Sequence, residues 1–201
     1  MKLYLVRHGE TDWNRMGRLQ GMTDIPLNDL GRAQAQTAAA ALREVPFDAA
    51  FCSPLSRARE TARIILGEHP IPVVPDERLR EISFGVGEGW TLAEERNVPG
   101  TAIHDLLYAP ERYQPPERGE TFQELYARTG DFVREVLLPL EGTHRAVLVA
   151  AHGAVNRAIL NPAMGLSLAQ FWQVQLTNCA VSVLEVEDGE LRVVEPLLTY
   201  I

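Results

Sequence analysis

"LYLVRHGETDWNRMGRLQG", residues 3–21, opens on four apolar or aromatic residues and then sets Arg7 and His8 side by side. The run from Lys2 to Val6 suits a short strand buried on both faces, as in a parallel sheet. Two potentially cationic side chains at the point where such a strand stops have either a structural partner or a job.

Outward from this stretch the chain alternates strands and helices. "LNDLGRAQAQTAAAALREV" (27–45) reads as a helix with Asn28 or Asp29 near its cap. "FDAAFCSP" (47–54) gives a second strand, with Ser53 as N-cap and Pro54 as first residue of the helix "SPLSRARETARIIL". "IPVVPDERLREI" (71–82) supplies another strand and a turn ending near Glu81. Residues 84–120, rich in Gly and Pro and weak in periodicity, read as an irregular excursion with short helices. Phe122, Leu125, Tyr126, Thr129, Phe132, Val133 and Val136 then recur at helical spacing. "AVLVAAHG" (146–153) is an apolar strand that stops at His152, and "AVSVLEVEDGELRVVEPLL" (180–198) reads as a hairpin turning on Asp188-Gly189. The alternation predicts an α/β three-layer sandwich: a mainly parallel central sheet flanked by helices, with a lid at 84–120 and a C-terminal hairpin, all in one domain over 1–201.

Bulk composition agrees with a globular chain and narrows the partners. The 201 residues are 46% hydrophobic and 23% charged, enough for one sizeable core. A net charge of -8 argues against nucleic acid or an anionic membrane, which favour basic faces, but not against a small anion held by a few buried arginines. Cys52 and Cys179 stand far apart in apolar surroundings, which predicts core thiols in a reducing compartment and no disulfide framework. The N-terminal apolar run is too short for a signal peptide and no later run reaches membrane-spanning length, so the expected location is cytoplasmic. Oligomeric state stays open, a homodimer included.

In an open α/β sheet ligands bind outside the carboxyl ends of the strands. Three such ends carry reactive or cationic residues: Arg7-His8 after the first strand, Arg57 in the opening turns of the helix after the second, and His152-Gly153 after the fourth. Arginine's planar fork and a helix N-terminus both favour a compact anion. A histidine among these cations has its pKa pushed down, which leaves a ring lone pair able to attack phosphorus. The second histidine is expected to stay protonated beside the anion and donate to a non-bridging oxygen, and Glu81 could protonate a leaving alkoxide. Each residue alone has a plainer reading: His152 as a hydrogen-bonded structural residue, Arg57 as a surface ion-pair partner, Glu81 as the partner of Arg78 or Arg80. A metal site is disfavoured, since Arg7 and Arg57 would repel a divalent cation and no HxxxH or HExxH spacing occurs. No cofactor is called for.

"LVRHGETDWN", "SPLSRARETA", "LREISFGVGEG" and "VAAHGAVNRAIL", in this order along almost the whole chain, resemble the histidine phosphatase superfamily, its phosphoglycerate-mutase-like branch. The resemblance implies that His8 becomes phosphorylated, that Arg7, Arg57 and His152 complete the phosphate pocket, and that Glu81 is the proton donor. It further implies that Asn14 contacts the transferred phosphoryl group, that Gly153 offers a nearby backbone amide, and that Gln20 and Gly21 border the substrate.

The family contains mutases and phosphatases. Mutases of this kind are similar to one another in a longer insertion at the lid, with paired arginines and a lysine gripping a glycerate carboxylate; residues 84–120 contain neither. The segment is instead acidic, with Glu88, Glu94, Glu95, Asp105, Glu111, Glu117 and Glu120 against Arg96, Arg112 and Arg118. Such a lid is expected to repel highly anionic substrates, while Phe84, Trp90, Tyr108 and Tyr113 either stack on a ring-bearing leaving group or pack the lid locally. Trp13 faces the same choice. The sequence therefore reads as a histidine acid-type phosphatase, a metal-independent phosphomonoesterase acting on small molecules. A cofactor-dependent phosphoglycerate mutase is the alternative within the family, and a non-catalytic phospho-ligand binding module the alternative outside it.

Overall fold

The computed structural model describes residues 1–198, except the side chains of Glu94, Glu95 and residues 196–198. Six strands form one sheet in the order β3-β2-β4-β1-β5-β6: β1 (Lys2–Arg7), β2 (Phe47–Cys52), β3 (Val73–Pro75), β4 (Ala146–Ala151), β5 (Val181–Glu187) and β6 (Glu190–Leu198). β1 pairs with β4, β4 with β2 and β2 with β3 in parallel, while β5 and β6 add antiparallel at one edge. The sheet is therefore mostly parallel. The C-terminal hairpin is part of it rather than an appendage, and turns on Asp188 and Gly189, both at positive φ.

Side-chain alternation along the central strands divides the core in two. Leu3 and Leu5 of β1 and Val147 and Val149 of β4 pack with Phe122, Leu125 and Phe132 of α6 (Phe122–Phe132) and with Val155 and Ile159 of α7 (Gly153–Ala163). Val6, Leu148 and Ala150 face the opposite way, toward Ala38 and Leu42 of α2 (Asp29–Leu42) and Ala62 and Ile65 of α3 (Ser56–Leu66). Because β4 is covered on both faces, all six of its residues are buried. Residues 84–120 carry short α-helices at Leu92–Glu95 (α4) and Ala102–Tyr108 (α5), and a four-residue helix, α1, spans Asp12–Arg15. Among the described residues no helix is long and apolar enough to cross a membrane.

Two local signals resolve differently from the sequence reading. α3 begins at Ser56 with Leu55 at its N-cap, so Ser53 and Pro54 lie in the preceding loop. The fully buried Ser53 hydroxyl accepts from the Leu55 N–H, forming a turn in place of the predicted cap. At the other end of the fold, α6 does not stop after Phe132 but widens into a single π-turn over Val133–Leu137.

One close backbone approach fixes the path of the chain beyond β1. A Cβ on Gly9 would stand 2.3 Å from the Gly31 carbonyl oxygen, and one on Gly31 would stand 2.1 Å from that of Glu10, so the loop after His8 lies directly on the first turn of α2. Asn28 caps that turn by accepting from the Gly31 N–H at 2.8 Å. In an exposed helix interior, Gly→Ala gains about 1 kcal/mol. Here Gly31→Ala is expected to destabilise by about 1–3 kcal/mol through overpacking against immobile backbone. The urea midpoint measures this, and an unchanged or higher midpoint would show that the 9–10 loop yields.

Candidate active site

Parallel register brings the predicted strand ends to one edge. The His8 N–H donates to the Ala151 carbonyl at 3.0 Å and the Ser53 N–H to that of Ala150, so the ends of β1, β2 and β4 are level. Beyond them a cavity of about 220 Å³ is lined by Arg7, His8, Asn14, Gln20, Gly21, Arg57, Glu81 and Gly153, among others. Of the predicted site residues, only His152 is absent from this lining. It is fully buried behind His8, with ring centroids 5.1 Å apart. Roomier grooves lie elsewhere, including one of about 550 Å³ beside Tyr126 and Arg134, but they gather none of the strand-end residues.

His8 is fixed as one tautomer. Its Nδ1 lies 2.7 Å from the Gly9 carbonyl oxygen, which can only accept, so Nδ1 carries the proton and Nε2 the lone pair. Burial, then Arg57 and Arg7, hold its pKa well below the usual histidine value. His152 is lowered for the same reasons, with burial first and Arg57 next. Its two ring nitrogens make no hydrogen bond to the described residues.

The arginines are held by carbonyls. Arg57 is fully buried, not the surface ion-pair residue that its helix allowed, and donates at 2.8 Å to the Thr23 and Gly21 carbonyls. Desolvation pulls its pKa down to about 10. Arg7 donates to the Leu176 carbonyl, and its pKa is also lowered by burial. The Nε of each is enclosed without a protein partner among the described residues.

Glu81 has no ion pair with Arg78, which binds Asp76 and Glu135, or with Arg80, which binds Glu77. Its carboxylate instead accepts from the N–H groups of Ile82, Ala154 and Val155 at 3.0–3.3 Å, at the first turn of α7. Arg128 braces the same residue from behind, donating to the Glu81 carbonyl and to the Glu120 carboxylate. Asn14 closes a capping box on Thr11 and also faces Asn178; these donors converge on its Oδ1 and leave its NH2 group unengaged. Gln20 accepts from the Thr11 hydroxyl. Gly21 adopts φ 51°, and a Cβ there would meet Glu88 at 2.3 Å.

The sequence reading missed Arg157, Trp172 and Arg18, all of which line the cavity. Arg157 sits on the buried helix α7, donating to the Val174 and Gly153 carbonyls, with its guanidinium 4.9 Å from the Trp172 ring. An arginine within the otherwise apolar "VNRAIL" was the available signal; Trp172 comes after a 3₁₀ turn and carries no periodic one. The lid reading needs correction. Phe84 lines the cavity, whereas Trp90, Tyr108 and Tyr113 do not. Tyr108 is exposed and accepts from Arg96, while Tyr113 is buried against Phe122. Trp13 packs beneath Gly89. None of the lid carboxylates described lines the cavity: Glu88 ties down Met22 and Thr23, Asp105 pairs with His104, and Glu120 pairs with Arg128. The side chains of Glu94 and Glu95 lie outside the described residues. These carboxylates therefore act on the cavity at a remove, as Glu88 does through its charge interaction with Arg57.

The chain is similar to known proteins in sequence and fold. The profile of the histidine phosphatase superfamily (branch 1) matches residues 3–197. The 2,3-bisphosphoglycerate-dependent phosphoglycerate mutase 2 of Gloeobacter violaceus is 35% identical over 180 residues, covering 88% of this chain and 82% of that protein. The 2-carboxy-D-arabinitol-1-phosphatase of Triticum aestivum is 34% identical over 92% of this chain, which spans 37% of that protein's length. The solved structure of Bacillus stearothermophilus YhfR superposes with a TM-score of 0.88 at 36% identity, covering 96% of this chain and 95% of that one.

The lowered histidine pKa values make a prediction about acid. In the unfolded chain each imidazole takes up its proton near pH 6.5, while in the folded protein His8 and His152 do so only at lower pH. Their contribution to stability is thus intact above about pH 7 and is lost as pH falls, by up to about 1.4 kcal/mol per unit for each. Histidine ring NMR should show both imidazoles still neutral at pH values where a free imidazole is already protonated. A normal titration of either ring would contradict the site electrostatics.

Proposed function

The chain belongs to the histidine phosphatase superfamily, whose members act on phosphate monoesters, and on that premise we propose that it hydrolyses small phosphate monoesters through a phosphohistidine formed on His8. The observation that carries this reading is the single lone pair on His8 Nε2, fixed by the Nδ1 contact to Gly9 and set beside the buried Arg57 and the half-buried Arg7.

The roles derive from the contacts. Arg7 and Arg57, which line the cavity, hold the non-bridging oxygens, and Asn14 and the Gly153 amide complete the cradle, with Gln20 and Gly21 along its border and His152 behind His8 as the second donor. Nε2 of His8 attacks phosphorus in line with the ester oxygen; the N–P bond forms as the P–O bond breaks. Glu81 gives its proton to the departing oxygen. Water then attacks phosphorus, Glu81 takes a proton back from it, and the N–P bond breaks to release phosphate and neutral His8. No step calls on a metal.

A second reading is supported by the Gloeobacter relative: transfer of the phosphoryl group to a second hydroxyl rather than to water. The absence of an adjacent arginine pair and of lysine in residues 84–120 favours water as acceptor. Assay of 3-phosphoglycerate with the 2,3-bisphosphate as primer separates the two, since efficient conversion to 2-phosphoglycerate would install the mutase.

His8→Ala is expected to lower kcat by at least about 10³-fold and to abolish the phosphoenzyme trapped by alkaline quench. Turnover of p-nitrophenyl phosphate by the parent chain, with and without chelator, checks the enzyme reading and its independence of metal. Glu81→Gln should hurt alkyl esters far more than phenyl esters, because phenolate leaves with little help from an acid. Equal losses for both ester types would assign the donor elsewhere.

A further inference from the structure

One side chain outside the cavity lining is joined both to the main chain of His8 and to the phosphate cradle. Asn178, half-buried in the loop before β5, donates from Nδ2 to the His8 carbonyl at 3.0 Å and to Asn14 Oδ1 at 3.4 Å. An amide NH2 carries two hydrogens in one plane, so a single nitrogen serves both acceptors.

Each acceptor has other donors, but no other donor joins the two. The His8 carbonyl also accepts from the Cys179 N–H at 3.3 Å, which holds the main chain alone. Asn14 Oδ1 accepts from the Thr11 N–H at 3.1 Å. The Thr11 hydroxyl lies 3.0 Å from the same oxygen and 2.9 Å from Gln20 Oε1, and it has one proton for the two. With its oxygen engaged by Thr11 and Asn178, the Asn14 amide keeps one orientation, and its NH2 is the end left for the cavity that Asn14 lines.

The loop that carries Asn178 is tied to the end of β1. The Ala180 N–H closes a turn on the Thr177 carbonyl at 3.1 Å, and the Cys179 N–H donates to the Arg7 carbonyl at 3.1 Å. Cys179 stands at φ 57°, a conformation that a non-glycine residue keeps only where its surroundings over-determine it. β5 follows at once and pairs with β1, Val181 opposite Val6. Asn178 is thus anchored to the strand that ends at His8. Asn14 sits instead on the four-residue helix α1, which is too short to be rigid by itself and depends on such ties.

We propose that Asn178 is a positioning residue for phosphoryl transfer: by bridging His8 and Asn14 it fixes the Asn14 NH2 relative to the line of attack from His8 Nε2, without touching phosphate. This rests on the assignment of His8 as nucleophile and of Asn14 to the cradle. The effect falls on the transition state, where the reacting atoms must be aligned, and not on the affinity for phosphate, which Arg7 and Arg57 supply.

Asn178→Ala is expected to lower kcat for p-nitrophenyl phosphate by about tenfold to a hundredfold, while the inhibition constant of inorganic phosphate stays within about threefold of the parent value. Asn178→Ser, a milder change for the loop, keeps one donor proton and cannot serve both acceptors, so it should remain slowed by at least about fivefold. On an Asn14→Ala background, Asn178→Ala should cost less than about threefold, because the bridge then has only one end. Equal costs on the two backgrounds, a parent-like kcat in the Ser variant, or a loss of phosphate affinity that matches the loss of kcat would overturn the proposal and leave the phosphatase reading intact. A parent chain that turned over no ester would count against that reading instead, and the bridge is then read from amide NMR. Asn178→Ala should shift the Asn14 side-chain NH2 signals, and unmoved signals would overturn the bridge.

Discussion

The constraint on which this site depends is that its buried cations are satisfied by carbonyl oxygens. Arg7 is held by Leu176, Arg57 by Gly21 and Thr23, and Arg157 by Gly153 and Val174, every one a main-chain acceptor. A salt bridge would have cancelled the charge along with the hydrogen-bonding need. Carbonyls meet part of the need, leaving Nε of Arg7 and of Arg57 without a partner among the described residues, and they leave the charge, whose desolvation lowers the arginine pKa values. Positive charge therefore stays concentrated at the strand ends without a direct ion pair to Arg7, Arg57 or Arg157 among the described residues.

Holding charge in this way demands rigid loops, because the partners are backbone atoms outside regular structure. The 21–23 turn is locked twice: Arg57 takes its carbonyls, and Glu88 accepts from the Met22 N–H and the Thr23 hydroxyl. The 174–180 loop is tied to the end of β1 by Arg7, by Asn178 on the His8 carbonyl, and by the Cys179 N–H on the Arg7 carbonyl, with Cys179 itself at φ 57°. The acidic lid residues, which in composition look like an electrostatic screen, act in this framework as ties. Glu88 and Glu120 each accept from main-chain N–H groups and bind the excursion to the strand ends.

How much of the molecule was legible in sequence depends on the range of each signal. Strand ends were legible because an apolar run stopping at a charged or polar residue is a local pattern, and parallel pairing then brings Arg7, His8 and His152 together without further information. The start of α3 was misplaced because Ser-Pro carries a good cap signature, and only the tertiary packing that turns Ser53 inward distinguishes a cap from a turn. Arg157 was overlooked because helical periodicity rewards apolar positions, so a buried arginine among them reads as noise until its carbonyl partners are seen. The lid carboxylates were legible in sign and number but not in direction, because composition carries no geometry.

The two histidines lie in the same arginine field and differ in their neighbours. Burial first, and Arg57 next, push the proton affinity of both rings down. His8 has its Nδ1 committed to the Gly9 carbonyl, which leaves the lone pair on Nε2. His152 has no protein partner for either ring nitrogen among the described residues, so no neighbour fixes its tautomer. Two chemically identical side chains 5.1 Å apart are thereby distinguished by a single main-chain carbonyl.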